Sequence, residues 1–161
     1  MKKENNLSES ERYAWATLIA TGVVFLMFWG RMTDGFQVLN LRAEDLLGLY
    51  LRVIMTFIVL HIIIAVIFAA KRGKEAQDGD VVERDERDMA IERKGSRTEF
   101  WVLAIIVQVV IFTLLFENAF PDGYTPPISV LSASGMFFVL MSGFFIADIA
   151  KRITMIIAYK S

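Results

Sequence analysis

The sequence predicts an all-α integral membrane protein, a bundle of four transmembrane helices that forms a single domain over residues 1–161. Hydrophobic residues make up 55% of the chain, above the roughly 45–50% apolar share of a soluble domain. They are gathered into four long runs, and a helix needs about 20 apolar residues to cross a 30 Å hydrocarbon core. The charged residues lie mainly between these runs, with a net charge of only −1. The predicted spans are about 13–30, 50–70, 99–116 and 128–150.

The first apolar run follows a polar N-terminal segment. Ser8 and Glu11 have the spacing of a capping box, in which each side chain satisfies a backbone N–H group of the first helical turn. Trp15 and Trp29 lie near the two ends of the run, and aromatic rings prefer the membrane interface. No small-residue cleavage site follows Trp29 and three further runs come later, which favours a retained span over a signal peptide.

The second run is preceded by the polar segment 31–46, which is expected to form a loop with a short interfacial helix. Residues 53–70 are apolar except for Thr56 and His61, and 18 residues suffice for a span. Arg52 at the outer end of this run can extend its guanidinium to the lipid headgroups.

The third and fourth runs have their own boundary signals. Gly95 is expected to break the chain ahead of the third span, because Ser96 and Glu99 repeat the capping-box spacing. Prolines within 121–127 cannot continue a helix and predict a short loop before the fourth span. Residues 153–159 are expected to form one or two amphipathic turns along the membrane surface.

The basic residues predict the orientation of the chain. The N-terminal segment and the tail after the fourth span hold three each and the loop 71–97 holds eight, whereas the other two loops hold only Arg31 and Arg42. By the positive-inside rule, both termini and the loop 71–97 are expected in the cytoplasm.

The loop 71–97 contains the most distinctive stretch of the sequence, the charged motif Glu83-Arg84-Asp85-Glu86-Arg87-Asp88. Basic residues flank the loop at both membrane ends, and between them residues 75–92 hold eight acidic and two basic residues. Anionic headgroups attract the basic ends and repel the acidic middle, so the loop is expected to project into the cytoplasm. Capping and charge spacing predict a helix from about Val81 to Lys94.

Two interpretations of the charged motif remain open. On the predicted helix, Glu83 pairs with Arg87 and Arg84 with Asp88 at i,i+4, each pair contributing about 0.2–0.5 kcal/mol. Like charges also recur at helical spacing, so the motif carries more charge than its own helix can pair. It is either a solvated helix that fixes the topology or an interaction motif for a second copy of the loop or a cytoplasmic protein.

The motif, with Ile91-Glu92, Gly95-Ser96-Arg97 and the span opening Phe100-Trp101-Val102-Leu103, resembles an uncharacterised family of small bacterial four-span membrane proteins with a domain of unknown function. Glu11-Arg12-Tyr13-Ala14-Trp15 and the tail 151–160 are similar too, so the resemblance covers essentially the whole chain. It implies a plasma (inner) membrane location and coupling to a small helix-turn-helix regulator. Phe100 and Trp101 depart from the tyrosines that are commoner in that family.

Ionisable and amide side chains inside the spans are further candidate sites. His61 and Gln108 lie at similar depth in the second and third spans, and a hydrogen bond between them would satisfy both. Asp148, near the end of the fourth span, precedes Lys151 and Arg152 by three and four positions, which predicts an interfacial ion pair. No second titratable group lies at the depth of His61, so neither a proton relay nor a metal site is expected.

The remaining sequence features restrict the function. There is no cysteine, which excludes disulfides and thiolate chemistry. Metalloprotease, nucleophile-elbow and phosphate-loop motifs are missing as well, so neither an enzyme nor a cofactor is expected. The predicted function is an interaction or regulatory role through the charged loop; the alternative is a small oligomeric transporter or channel, although a mid-membrane carboxylate is lacking. The expected partners are the lipid bilayer, a second copy of the chain and a cytoplasmic protein, without direct binding of nucleic acid.

Overall fold

Four helices make up most of the protein. The computed structural model describes residues 8–77, 86–120, 126 and 128–160, with the backbone alone at 72–77. The helices are α1 (Glu9–Met32), α2 (Ala43–Gln77), α3 (Glu86–Ala119) and α4 (Ala133–Lys160). Each is long and apolar enough to cross a membrane, which confirms the prediction of four helices of spanning length. A small hairpin of β1 (Thr33–Asp34) and β2 (Gln37–Val38) connects α1 to α2.

The helices pack as a layer in the order α2, α1, α4, α3. Helix α4 packs on both α1 and α3, and α1 also packs on α2. Helix α2 has fewer contacts with α4, where the ring of Phe57 meets those of Phe144 and Phe145 and the ring of Tyr50 meets that of Phe137. Within their most apolar stretches, α1 and α4 bury 33% and 50% of their residues, but α2 and α3 only 6% each. The two edge helices therefore present most of their surface outward.

The two ends of the layer differ in their polar contacts. At one end, Asp88 at the start of α3 is bonded to Ser10 at the start of α1, and Arg87 to the backbone of Tyr159 at the end of α4. We call this the charged end. The opposite end carries the β-hairpin and is called the hairpin end.

The apolar core is split between these ends. The larger cluster lies toward the hairpin end, between α1, α2 and α4: Val24, Phe28, Met32, Leu46, Val53, Phe138, Met141 and Phe145. The smaller cluster lies at the charged end, between α1, α3 and α4: Ala14, Ile91, Met155, Ile156 and Ala158. Between them, the hydroxyl of Thr21 donates a hydrogen bond of 2.6 Å to the buried carboxylate of Asp148.

Helix α1 begins where the capping pattern predicts. The hydroxyl oxygen of Ser8 accepts a hydrogen bond of 3.1 Å from the backbone N–H of Glu11. This bond satisfies one of the four N–H groups that a helix leaves free at its start.

The predicted break at Gly95 is wrong. Helix α3 runs without interruption from Glu86 to Ala119, so the described part of the predicted charged helix is continuous with the third span. Gly95 instead permits close packing, because a Cβ at this position would lie 2.7 Å from Cγ of Met155 and 3.2 Å from the carbonyl oxygen of Lys151. Residues 81–85 of the predicted charged helix lie outside the described residues.

The start of α4 also differs from the prediction. The helix begins at Ala133 rather than at residue 128, because the preceding turn is held by side chains. The hydroxyl oxygen of Ser132 accepts a bond from the N–H of Gly135 (3.0 Å), and the same hydroxyl donates to the carbonyl of Ser129 (3.1 Å). Buried Glu117 fixes this turn from α3, since its carboxylate accepts from the Ser129 hydroxyl (2.7 Å) and from the N–H of Val130 (3.0 Å).

The tail after the fourth span is not a separate surface segment. Helix α4 continues to Lys160, and Met155, Ile156 and Ala158 are buried in the cluster at the charged end. Burial against α1 and α3 thus takes the place of the predicted contact with the membrane surface.

The connection between α1 and α2 is a hairpin instead of the predicted interfacial helix. Gly35 occupies the first central position of the two-residue turn with φ 63°, which a type II′ turn requires and glycine adopts without strain. The N–H of Leu39 then bonds to the carbonyl of Met32 (2.8 Å), and the N–H of Leu41 to the hydroxyl of Ser134 on α4 (2.9 Å). These bonds hold the connection against both central helices.

Candidate functional site

The second half of the charged motif forms the first turn of α3. Glu86 and Asp88 place negative charge at a helix N-terminus, which the helix dipole favours. Glu83, Arg84 and Asp85 lie outside the described residues, so the i,i+4 pairs Glu83–Arg87 and Arg84–Asp88 remain predictions.

Asp88 joins the starts of two helices at the charged end. Its Oδ2 accepts a hydrogen bond of 2.7 Å from the hydroxyl of Ser10, 78 residues earlier in the chain. Hydrogen bonds to an ionised carboxylate are roughly twice as strong as neutral ones. The hydroxyl of Tyr159 lies nearby, and burial together with the charge of Asp88 raises its pKa. This acid of the motif therefore ties the start of α3 to the start of α1, beside the end of α4.

Basic groups complement the C-terminal end of α4. The guanidinium of Arg87 donates a long hydrogen bond of 3.4 Å to the carbonyl oxygen of Tyr159. Positive charge is favourable beside the last carbonyls of a helix. The ammonium of Lys160 lies 5.6 Å from the ring centroid of Trp15, a distance suited to a cation–π contact with α1.

The outward face of the first turns of α3 is mainly basic. Arg93, Lys94 and Arg97 are exposed and directly precede Phe100, the first residue of the apolar run. At that level, anionic headgroups would attract each of them by about 1 kcal/mol. Glu86 is also exposed and lies farther from the apolar run, at the tip of the helix.

A cleft of about 570 Å³ opens at the charged end between residues of all four helices. Asp88, Glu92, Lys151 and Arg152 line its polar side, and Phe68 of α2 contributes to its apolar side. This combination suits a small molecule with both charged and apolar parts, or a side chain of a partner protein.

Lys151 and Arg152 form two different ion pairs. The ammonium of Lys151 lies 2.7 Å from Oε2 of Glu99, which joins α4 to α3. The guanidinium of Arg152 lies 3.3 Å from Oδ1 of Asp148, one helical turn earlier. Asp148 thus has the partner that its spacing to Arg152 predicts, whereas Lys151 pairs with Glu99 instead. Asp148 is only 5% exposed and is therefore buried among the helices. The Nε of Arg152 is buried without a hydrogen-bond partner among the described residues.

The predicted hydrogen bond between His61 and Gln108 is wrong. Their helices, α2 and α3, form opposite edges of the layer. His61 donates from Nδ1 to the carbonyl of Phe57 (2.9 Å), and its ring lies 4.1 Å from that of Phe57. Gln108 is exposed on α3 and bonds to none of the described residues.

Sequence reasoning missed Ser10, Glu99 and Tyr159. Glu99 has capping-box spacing with Ser96, but it also belongs to a different pattern. Asp88, Glu92, Gly95 and Glu99 follow each other at i, i+4, i+7 and i+11, so they share one face of a continuous α3. That face is the one packed toward α4, where Lys151 and Tyr159 lie.

The site is thus a set of charge-assisted contacts around a cleft. Within the part of the chain that the structure describes, no three His, Asp or Glu side chains come together as metal ligands. Comparison with known proteins finds no matching family model, no significantly similar curated protein and no significantly similar solved structure.

Proposed function

We propose that the chain is a multi-pass protein of the bacterial inner membrane whose charged end binds a cytoplasmic protein and has a regulatory role. The observation that carries this proposal is the position of Asp88. It belongs to the charged motif, and it is bonded across 78 residues to the start of α1. A motif that only kept a loop soluble would not need this contact. Here the bond between Asp88 and Ser10 connects the exposed charged start of α3 to the start of α1.

The orientation in the membrane is part of the proposal. The positive-inside rule supports cytoplasmic termini, given the eight basic residues of the loop 71–97. The exposed Arg93, Lys94 and Arg97 support it too, since they border the apolar run of α3 and suit an anionic leaflet.

The contacts of Asp88 suggest how binding acts. The Asp88–Ser10 bond and the Arg87–Tyr159 bond fix the first turn of α3. A partner that binds Glu86 and Arg87 competes with these bonds and can displace this turn. Breaking these bonds releases the starts of α1 and α3 and the end of α4 from one another. The resemblance of the motif suggests a small DNA-binding regulator as the partner, held at or released from the membrane.

The proposal is tested by photocrosslinking in intact cells. A photoreactive residue is placed at Arg93 of α3, with a matched site at Phe36, which is 95% exposed at the hairpin end. We expect a soluble protein to be captured from Arg93 and not from Phe36. The variant Glu86→Gln, which keeps Asp88 and Arg87 and their contacts with Ser10 and Tyr159, should reduce this adduct because an exposed charge of the motif is removed.

The variant must be compared at equal amounts of protein in the membrane. Equal adducts before and after neutralisation, or the same adduct from Phe36, would contradict a binding role of the motif. Keeping Asp88 matters, because its replacement would alter the packing as well as the charge.

A small transporter is the second candidate, and the charged cleft is the observation that favours it. Glu92 lines the cleft, and its carboxylate is the kind of group that binds a cation during transport. Under this candidate, vesicles containing the protein should take up protons or small cations, and Glu92→Gln should reduce the rate at least tenfold. Flux no faster than in protein-free vesicles excludes the transporter while leaving the interaction proposal intact.

A further inference from the structure

Gln108 is an unpaired polar side chain at the middle of a membrane span. It lies at the centre of the apolar run 100–116 of α3, it is exposed, and none of the described residues bonds to its amide. Hydrocarbon offers an amide no hydrogen-bond partner, so leaving it there is costly. Since no partner for Gln108 lies in the described part of the chain, we look for one in a neighbouring molecule of the membrane.

The neighbours of Gln108 form a regular outward seam. Trp101, Ile105, Phe112 and Leu115 are each between 55% and 66% exposed. With Gln108 they are spaced by four, three, four and three residues, which is the spacing of the contact positions of a coiled coil. The α4-packed face of α3 contains Gly95 and Ile106, which approach Met155 and Gly143. The seam lies about 130° around the helix from this face, at 100° per residue.

The other edge helix provides a contrast. The exposed side chains of α2 within the same depth are apolar, as at Met55, Ile62 and Val66. The hydroxyl of Thr56 is satisfied by the carbonyl of Arg52 (2.8 Å). At these positions lipid can cover α2 without facing an unpaired polar side chain, whereas it cannot do so at Gln108.

We propose that two copies of this chain associate through α3, with the two Gln108 amides hydrogen-bonded to each other. An amide is its own complement, since it has both a donor and an acceptor. Two copies in one membrane have the same orientation, so a two-fold axis along the membrane normal sets the α3 helices parallel and brings Gln108 opposite Gln108. A single polar residue in an otherwise apolar seam fixes the register and the number of helices. The proposal is independent of the binding role of the charged end.

The test uses the full chain purified into lipid vesicles, so that only a second copy is available as a partner. The chain has no cysteine, so single cysteines report contacts without background. Under mild oxidation, we expect disulfide-linked dimers from Ile105→Cys and Phe112→Cys. The control Val107→Cys is 45% exposed but lies off the seam, and it should give none.

Energy transfer between labelled copies then measures the role of the amide. On dilution into lipid, Gln108→Leu should weaken association about 3- to 30-fold, the range for one interhelical hydrogen bond. Gln108→Asn should retain more of the association than Gln108→Leu, because it keeps the amide. A monomer at every lipid dilution, equal crosslinking at Val107, or undiminished association of Gln108→Leu would each overturn the proposal.

Discussion

Replacing Gly135 by alanine is expected to destabilise the helical layer by about 3 kcal/mol. A Cβ at this position would overlap the carbonyl oxygen of Ser129 and lie 2.8 Å from the hydroxyl of Ser132. A backbone carbonyl cannot move away as a flexible side chain can. The turn would have to shift, and the bonds of Ser129 and Val130 to the buried carboxylate of Glu117 would be lost with it.

The matched control for this prediction is Gly22→Ala in α1. Nothing lies within 4 Å of a Cβ at Gly22, and alanine is favoured over glycine inside a helix by up to about 1 kcal/mol. The free energy of unfolding in mixed micelles, measured by circular dichroism, should be lower than that of the parent protein for Gly135→Ala and slightly higher for Gly22→Ala. Equal stability of Gly135→Ala and the parent protein would show that the turn before α4 is not fixed in this way.

Asp148→Leu is expected to cost about 3–5 kcal/mol, because it leaves the guanidinium of Arg152 buried without its counter-ion. The two side chains are only 8% and 13% exposed, and the carboxylate also accepts a bond from Thr21. Replacing both partners, as in Asp148→Leu with Arg152→Met, should recover most of this loss, since neither charge then remains buried.

The neighbouring ion pair serves as the comparison. Glu99 and Lys151 are 25% and 19% exposed, so solvent screens their attraction and Glu99→Gln should cost about 1 kcal/mol or less. The same unfolding measurement ranks the variants. If Asp148→Leu costs no more than Glu99→Gln, or if the double variant is as unstable as the single one, Arg152 does not depend on Asp148.

The four helices could be predicted from the sequence because spans depend on a simple property, the length of an apolar run. Their boundaries depend on finer effects. Glycine at position 95 has two physical uses, ending a helix or allowing a close approach, and only the presence of Met155 beside it decides between them. The hairpin has only a partial signal in the sequence. Asp34-Gly35 favours a tight turn, but the type I′ turn typical of that pair would place glycine at the second central position rather than the first.

The candidate site was predictable only where its contacts are local. Asp148 and Arg152 are one turn apart on one helix, so spacing identifies the pair. The contact of Ser10 with Asp88 depends on which helices are neighbours, and spacing along the chain contains no information about that. The same limit explains the wrong pairing of His61 with Gln108: similar depth was recognised, but the layer places their helices at opposite edges.

The order of the layer has a consequence for biosynthesis. Spans enter the membrane in chain order, α1 and α2 can pack on each other as soon as both are inserted, and α3 then arrives without its packing neighbour. Apart from its contacts with the start of α1, α3 packs mainly on α4, which follows it in the chain. Until α4 is inserted, the face of α3 around Gly95 and the acid Glu99 lack their packing partner. Helix α4 thus joins the first helix to the third, and a chain that stops before α4 leaves its third helix without its main neighbour.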